Sequence, residues 1–267
     1  MLVPVNFEAS REEFDRASPF PFIKIDQLLD PAFAAEVAAS YPSFEEAIVK
    51  GRTFSTVNER KKVQITDAAL FPTPVSKLND LLASPAFLSD LSEATGIPNL
   101  LADEELVGGG MHITGPGGRL DVHIDFNYLE ARKLHRRLNL LLYLNPMWDQ
   151  QWGGHLQLWD KHVKRCEQSF APSLGRCVIF ATSDTSFHGV TPVSAAAPFP
   201  RFSFATYYYT KEPPPNWKGH SHSTIFKARP EETFRQFVLM PAETIQRQIN
   251  SSLGAVKRKI RRLLHSE

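Results

Sequence analysis

Between Gly108 and Thr210 the chain breaks into short runs in which apolar and polar residues alternate, separated by Gly, Pro or Asn. Alternation with period two marks strands that bury one face. The runs are MHIT, LDVHIDF, RLNLLLYLN, GHLQLWD, KRCEQSF, GRCVIFAT, FHGVTPV and RFSFATYYYT, about the number that a two-sheet jelly roll requires. The first hundred residues read differently. Asp30-Pro31 offers an N-cap and first-turn proline before AFAAEVAAS, Ser84-Pro85 repeats the device before AFLSDLSEATG, where Gly96 can close the helix, and PVSKLNDLL is amphipathic. FPFIKIDQLL is β-like and suits a strand added to the later sheet. The expected architecture is mainly β with N-terminal helices (α+β): a support region over 1–107, a β core over 108–210 and an extension over 211–267, all in one structural domain. That extension starts with a proline-rich exit, KEPPPNWKGHSHST, and carries a helical signal from about Pro241.

Composition narrows the partners. With 42% hydrophobic and 11% aromatic residues in 267, a sizeable core can be buried. The formal charge of +1 gives no global pull toward nucleic acid or a membrane surface. No apolar stretch reaches eighteen residues and the N-terminus is charged, so a cytoplasmic protein is expected. Cys166 and Cys177 form no CxxC pair and read as reduced strand residues.

The candidate chemistry sits on three runs. In LDVHIDF, His123 and Asp125 are two apart and share a face, while Leu120, Val122 and Ile124 turn away. His188, in FHGVTPV, supplies a second imidazole from a later strand that a jelly roll can bring alongside. Two histidines and one carboxylate form the facial set associated with non-haem Fe(II), which leaves coordination positions open. On RFSFATYYYT, Arg201, Ser203 and Ala205 share one face, aligning a permanent cation with a hydroxyl that suits a carboxylate. Arg201 follows His188 by thirteen residues, room for a loop before a return strand, so an anionic cosubstrate could bridge a metal and Arg201. Because a solvent-filled site adds little to a core, replacing His123 or Asp125 by Ala is expected to leave the fold largely intact.

Taken in order, H-I-D at 123–125, RRLNLLLYLN, WGGHLQLW, SFHGVTPV and R-F-S at 201–203 resemble the Fe(II)- and 2-oxoglutarate-dependent oxygenases, in particular the prolyl 4-hydroxylase-like branch. The entry FPFIKIDQLLD followed by a helix is similar too. The resemblance implies a double-stranded β-helix core in which His123, Asp125 and His188 hold Fe(II) and act in catalysis. It also implies that Arg201 with Ser203 holds the distal carboxylate of 2-oxoglutarate. Asn139 and Tyr143, on the face of RLNLLLYLN opposite Leu138, Leu140, Leu142 and Leu144, match positions that line the cosubstrate pocket, and His112 falls near another. The chemistry implied is O2-dependent decarboxylation of 2-oxoglutarate to succinate and CO2 with hydroxylation of an aliphatic carbon. Ascorbate is a candidate addition. A prolyl or other amino-acid-like substrate, small molecule or peptide, leads. The insertion NYLEARKLHRR, with Asn127, Arg136 and Arg137, keeps a sugar, lipid or natural-product intermediate open. Two further readings stay open: a metal-containing jelly-roll module that only binds or senses a small acid, and a zinc hydrolase.

Other features read more plainly. His220 and His222 lie in a Pro/Gly loop without a carboxylate pair, so a surface loop is favoured over a second metal site. His155 and His162 read as structural. VKRKIRRLL near the C-terminus is basic with helical apolar spacing and suits a terminal helix, with an acidic partner as the alternative.

Overall fold

The computed structural model describes residues 1–4, 7–215 and 217–232. The helical signal from Pro241 and the basic VKRKIRRLL segment lie outside the described residues. In chain order the elements are α1 (Phe7–Arg16), β1 (Phe22–Ile25), α2 (Pro31–Ala39), α3 (Phe44–Lys50), β2 (Arg52–Ser55), β3 (Glu59–Ile65), α4 (Thr73–Leu82), α5 (Pro85–Thr95) and β4 (Leu101–Ala102). They continue with β5 (Gly110–Ile124), β6 (Tyr128–Leu129), β7 (Leu134–Tyr143), β8 (Leu156–Trp159), β9 (Cys166–Phe170), β10 (Cys177–Ala181), β11 (His188–Val190), β12 (Arg201–Thr210) and β13 (Ile225–Phe226).

Local signals set the helix ends. Asp30 accepts from the amides of Ala32 and Phe33 at the start of α2, Ser84 accepts from Phe87 at the start of α5, and Gly96 ends α5 in the left-handed conformation (φ +62°). The short α3 carries a capping box between Ser43 and Glu46. Neither α1, α3 nor the β2–β3 hairpin was expected from the sequence. The hairpin's alternation covers only Lys62 to Ile65 in a stretch otherwise rich in charge, and its stability comes from pairing with β5 rather than from local pattern.

A single antiparallel path runs β1-β10-β7-β12-β5-β11-β8-β9 and curls into two layers. The first half of β5 pairs with β12 (Thr114 opposite Arg201, His112 opposite Ser203), and its second half pairs with β11 (His123 opposite His188). β5 therefore belongs to both layers, and MHIT and LDVHIDF, expected as separate strands, are two ends of one bent strand. The bend is the Gly115-Pro116-Gly117-Gly118 stretch, which has no counterpart on β3: Thr114 pairs with Lys62 and Arg119 with Arg60, leaving only Lys61 opposite. Leucines 138, 140, 142 and 144 turn outward with Phe204 and Tyr208 into the main core, where Phe33, Val37, Leu78 and Phe87 of the helices cover them. The opposite face of β7 and β12 looks into the space between the layers. Among the described residues no helix is long and apolar enough to cross a membrane.

The contact between β5 and β11 is tight because Gly189 lies against the backbone of β5. A Cβ there would come within 3.0 Å of both Val122 N and Val122 Cα. Gly189→Ala should push β11 off β5 and destabilise the protein by about 1–3 kcal/mol, an overpacking cost. Urea unfolding checks this, and an unchanged midpoint would contradict the close packing described.

Candidate active site

His123 is the second-last residue of β5, Asp125 lies just past the strand's end, and His188 opens β11 opposite His123. Their side chains converge, with His123 Nε2 3.5 Å from Asp125 Oδ1, His188 Nε2 3.4 Å from Asp125 Oδ2, and potential ligand atoms all within 4.8 Å of one another. Each imidazole has its other nitrogen committed: His123 Nδ1 donates to the Asp121 carbonyl (2.8 Å) and His188 Nδ1 to that of Ser186 (3.0 Å). The Nε2 lone pairs are thereby left facing the shared centre, the usual outer support of a metal-binding histidine. Burial, with His123 alongside, pushes His188 down to about 4, so its ring is neutral and able to coordinate at neutral pH. Val122 and Ile124 turn away into a small core, as expected. Leu120, however, lines the cavity, because the β5–β11 register shifts between His188 and Val190 and reverses the alternation beyond the shift.

Asp125 is held from behind. Its Oδ2 accepts from Arg136 Nη2 (3.1 Å) and Asn139 Nδ2 (2.7 Å), while Arg136 Nε donates to Asn139 Oδ1 (2.8 Å). Although burial raises the Asp125 carboxyl, the Arg136 guanidinium and the two imidazoles hold it well below the usual range. Arg136 lies 3% exposed between the rings of Tyr207 (3.5 Å) and Phe126 (4.6 Å). Sequence pattern placed Arg136 and Arg137 in an insertion able to meet substrate. Here Arg136 buttresses Asp125, Arg137 donates to Thr210 Oγ1, and Asn127 binds the backbone of His220 and His222.

A cavity of about 570 Å³ contains this cluster and, in its wall, Arg201, Ser203, His112 and Asn139. Arg201 is 4% exposed and has no carboxylate at ion-pair distance among the described residues. Its Nε donates to the Gly154 carbonyl (2.7 Å) and Nη1 to Ser203 Oγ (3.1 Å), while its guanidinium sits 4.9 Å from the Tyr143 ring centroid. A buried guanidinium without a counter-ion is costly, and an anion in the cavity would offset that cost. Tyr143 is not in the cavity wall. It lies beneath Arg201, and burial pushes its hydroxyl up to about 12. His112 Nε2 lies 2.9 Å from Gln64 Nε2 and 3.1 Å from the Gly108 carbonyl. Burial, with Lys62 and Arg201 near, keeps it well below the usual histidine range and so neutral.

Arg52, Phe54, Lys62 and Gln64 of the β2–β3 hairpin, and Thr224 and Phe226 of the C-terminal exit, were not singled out in the sequence but also line the cavity. The only usable signal was the alternation of Lys62 and Gln64 with Val63 and Ile65. His222 Nε2 pairs with Asp184 (3.1 Å), and no second cluster of potential metal ligands forms among the described residues.

Residues 109–209, which carry the His-Asp-His cluster and Arg201, match the family model of the 2OG-Fe(II) oxygenase superfamily. The match covers the β core, so the chain is similar to this superfamily over that segment. Over 62 residues, 22% of the chain, it is 42% identical to prolyl 3-hydroxylase OGFOD1 of Mus musculus, of which it spans 11%. A prolyl hydroxylase from Trichoplax adhaerens, solved with a hypoxia inducible factor oxygen degradation domain peptide, superposes with a TM-score of 0.54 at 20% identity over 76% of this chain and 90% of that one. A Pseudomonas putida prolyl-4-hydroxylase does so with 0.51 at 16% over 76% and 97%. These two share the double-stranded β-helix fold with the chain. For a 2OG-Fe(II) oxygenase the donor set fits its metal, since two imidazoles and a carboxylate face one point, and the buried guanidinium fits a dicarboxylate.

The Arg136 contact changes the expectation for Asp125. Asp125→Ala leaves a buried guanidinium without its carboxylate and should cost about 3–5 kcal/mol, whereas His123→Ala should lie within about 1 kcal/mol of wild type in metal-free protein. Paired urea melts of the two variants check this, and equal midpoints would contradict the buttressing role.

Proposed function

We propose that this protein is an Fe(II)- and 2-oxoglutarate-dependent dioxygenase that hydroxylates an aliphatic carbon of a prolyl or other amino-acid-like substrate. The observation that carries the reading is the pairing, in one cavity, of a two-histidine, one-carboxylate cluster with a buried, uncompensated guanidinium. The prolyl substrate class is supported by the mouse relative and by the peptide-bound Trichoplax structure.

In this reading His123, Asp125 and His188 hold the iron, and Arg201 with Ser203 takes the distal carboxylate of 2-oxoglutarate. When bound, iron with 2-oxoglutarate and O2 supplies the oxidising power and releases succinate and CO2. The chain's own work is placement. Arg136 and Asn139 occupy Asp125 Oδ2 and fix the carboxylate's rotamer, so its geometry is set before the metal arrives. Tyr143 supports the guanidinium from below, and His112, neutral beside Ser203 across the β5–β12 pairing, offers a hydrogen bond to the same anion. Leu120, Phe126, Val190 and Phe226 form the apolar wall beside the metal cluster and exclude water from the carbon to be oxidised. Residues 108–210 form the catalytic core, with 1–107 as its support and 211–267 as an extension.

The test is incubation of the full chain with Fe(II), 2-oxoglutarate, ascorbate and a panel of proline-containing peptides and free amino acids, scored for succinate and for mass gain of one oxygen. Succinate is expected from wild type and not from His188→Ala. Arg201→Ala should raise the 2-oxoglutarate requirement at least about a hundredfold, in line with loss of a charge-assisted bidentate contact. No succinate from iron-loaded wild type, or an unchanged requirement in Arg201→Ala, would overturn the reading.

A further inference from the structure

The Trp-Gly-Gly run at 152–154 lies outside the metal cluster and outside the cavity wall, yet it touches the one group assigned to hold the cosubstrate. Gly154 presents its carbonyl 2.7 Å from Arg201 Nε, which fixes the guanidinium about its own axis, and it does so from a positive-φ conformation (+67°) that L side chains rarely adopt. A Cβ on Gly154 would stand 3.0 Å from Arg201 Cδ and 3.2 Å from Trp148 Cζ2. The turn is itself braced. Gly153 also has φ +67°, and a Cβ there would strike the Pro192 carbonyl at 2.2 Å. Its own carbonyl accepts from Trp148 Nε1 (2.9 Å), and Trp148 packs edge-on against Trp152 (5.6 Å) with Phe199 completing the cluster.

We infer that Gly154 and Trp148 are positioning residues for 2-oxoglutarate: the braced Gly153-Gly154 turn sets how far the Arg201 fork reaches into the cavity, and thereby the length of dicarboxylate that spans from fork to metal. This rests on the reading of Arg201 as the cosubstrate anchor. Because Arg201 lines the cavity and Gly154 backs it from the other side, a methyl at 154 drives the arginine stem toward the cavity and shortens the span. The turn thus acts as a ruler for the cosubstrate.

The experiment is anaerobic calorimetric titration of 2-oxoglutarate, and of the one-carbon-shorter oxaloacetate, into Mn(II)-loaded full-length protein, with urea melts alongside. Gly154→Ala should weaken 2-oxoglutarate about thirtyfold and oxaloacetate much less, shifting their affinity ratio by about fivefold or more. Trp148→Phe, which keeps a ring but loses the N–H to the Gly153 carbonyl, should weaken 2-oxoglutarate about three- to tenfold with little change in the urea midpoint. If Gly154→Ala does not fold, Trp148→Phe decides. Wild-type affinity in a folded variant, or equal weakening of both diacids, would overturn the inference and leave the oxygenase reading standing. Failure of wild type to bind 2-oxoglutarate at all would remove both.

Discussion

The site depends on one strand having to serve two sheets. β5 pairs with β12 through its first half and with β11 through its second, so the bend brings His123 of β5 with His188 of β11, and Arg201 with Ser203 of β12, to face a common space. Backbone hydrogen bonding sets this arrangement before any ligand enters. Each half of β5 must satisfy its own ladder, and the unmatched Gly115–Gly118 stretch absorbs the change in direction without burying an unpaired strand edge.

Around that strand the polar groups fall into two supports, one behind a carboxylate and one behind a guanidinium. Behind the metal cluster, Arg136 and Asn139 tie down Asp125. Across the cavity, Gly154, Ser203 and the Tyr143 ring tie down Arg201. The two buried guanidiniums are thus not equivalent. Arg136 already has its carboxylate and belongs to the folded structure, whereas Arg201 lines the cavity with hydrogen bonds but no counter-charge among the described residues.

Much of this was legible in the sequence. Period-two alternation located the strands of the β core, and the spacing of His123 with Asp125 and of Arg201 with Ser203 put each pair on one face. Cap residues at Asp30, Ser84 and Gly96 placed α2 and α5. What was not legible depends on pairing across long separations. The β2–β3 hairpin takes its form from β5, the outward turn of Leu120 was reversed by a register shift with β11, and Arg136 looked like an exposed insertion residue because its carboxylate lies eleven positions earlier in the chain. Tyr143 was placed on the correct face, but Arg201, from another strand, covers it.

In the proposed function the His-Asp-His cluster and Arg201 act on one ligand across one cavity. The most direct measurement is anaerobic titration of 2-oxoglutarate into Fe(II)-loaded protein, followed by the visible charge-transfer absorption that a chelating 2-oxo acid produces on ferrous iron. A saturable band is expected in wild type, none in His188→Ala, and in Arg201→Ala the same band reached only at far higher 2-oxoglutarate. A band whose concentration dependence is indifferent to Arg201, or no band in iron-loaded wild type, would contradict that proposal.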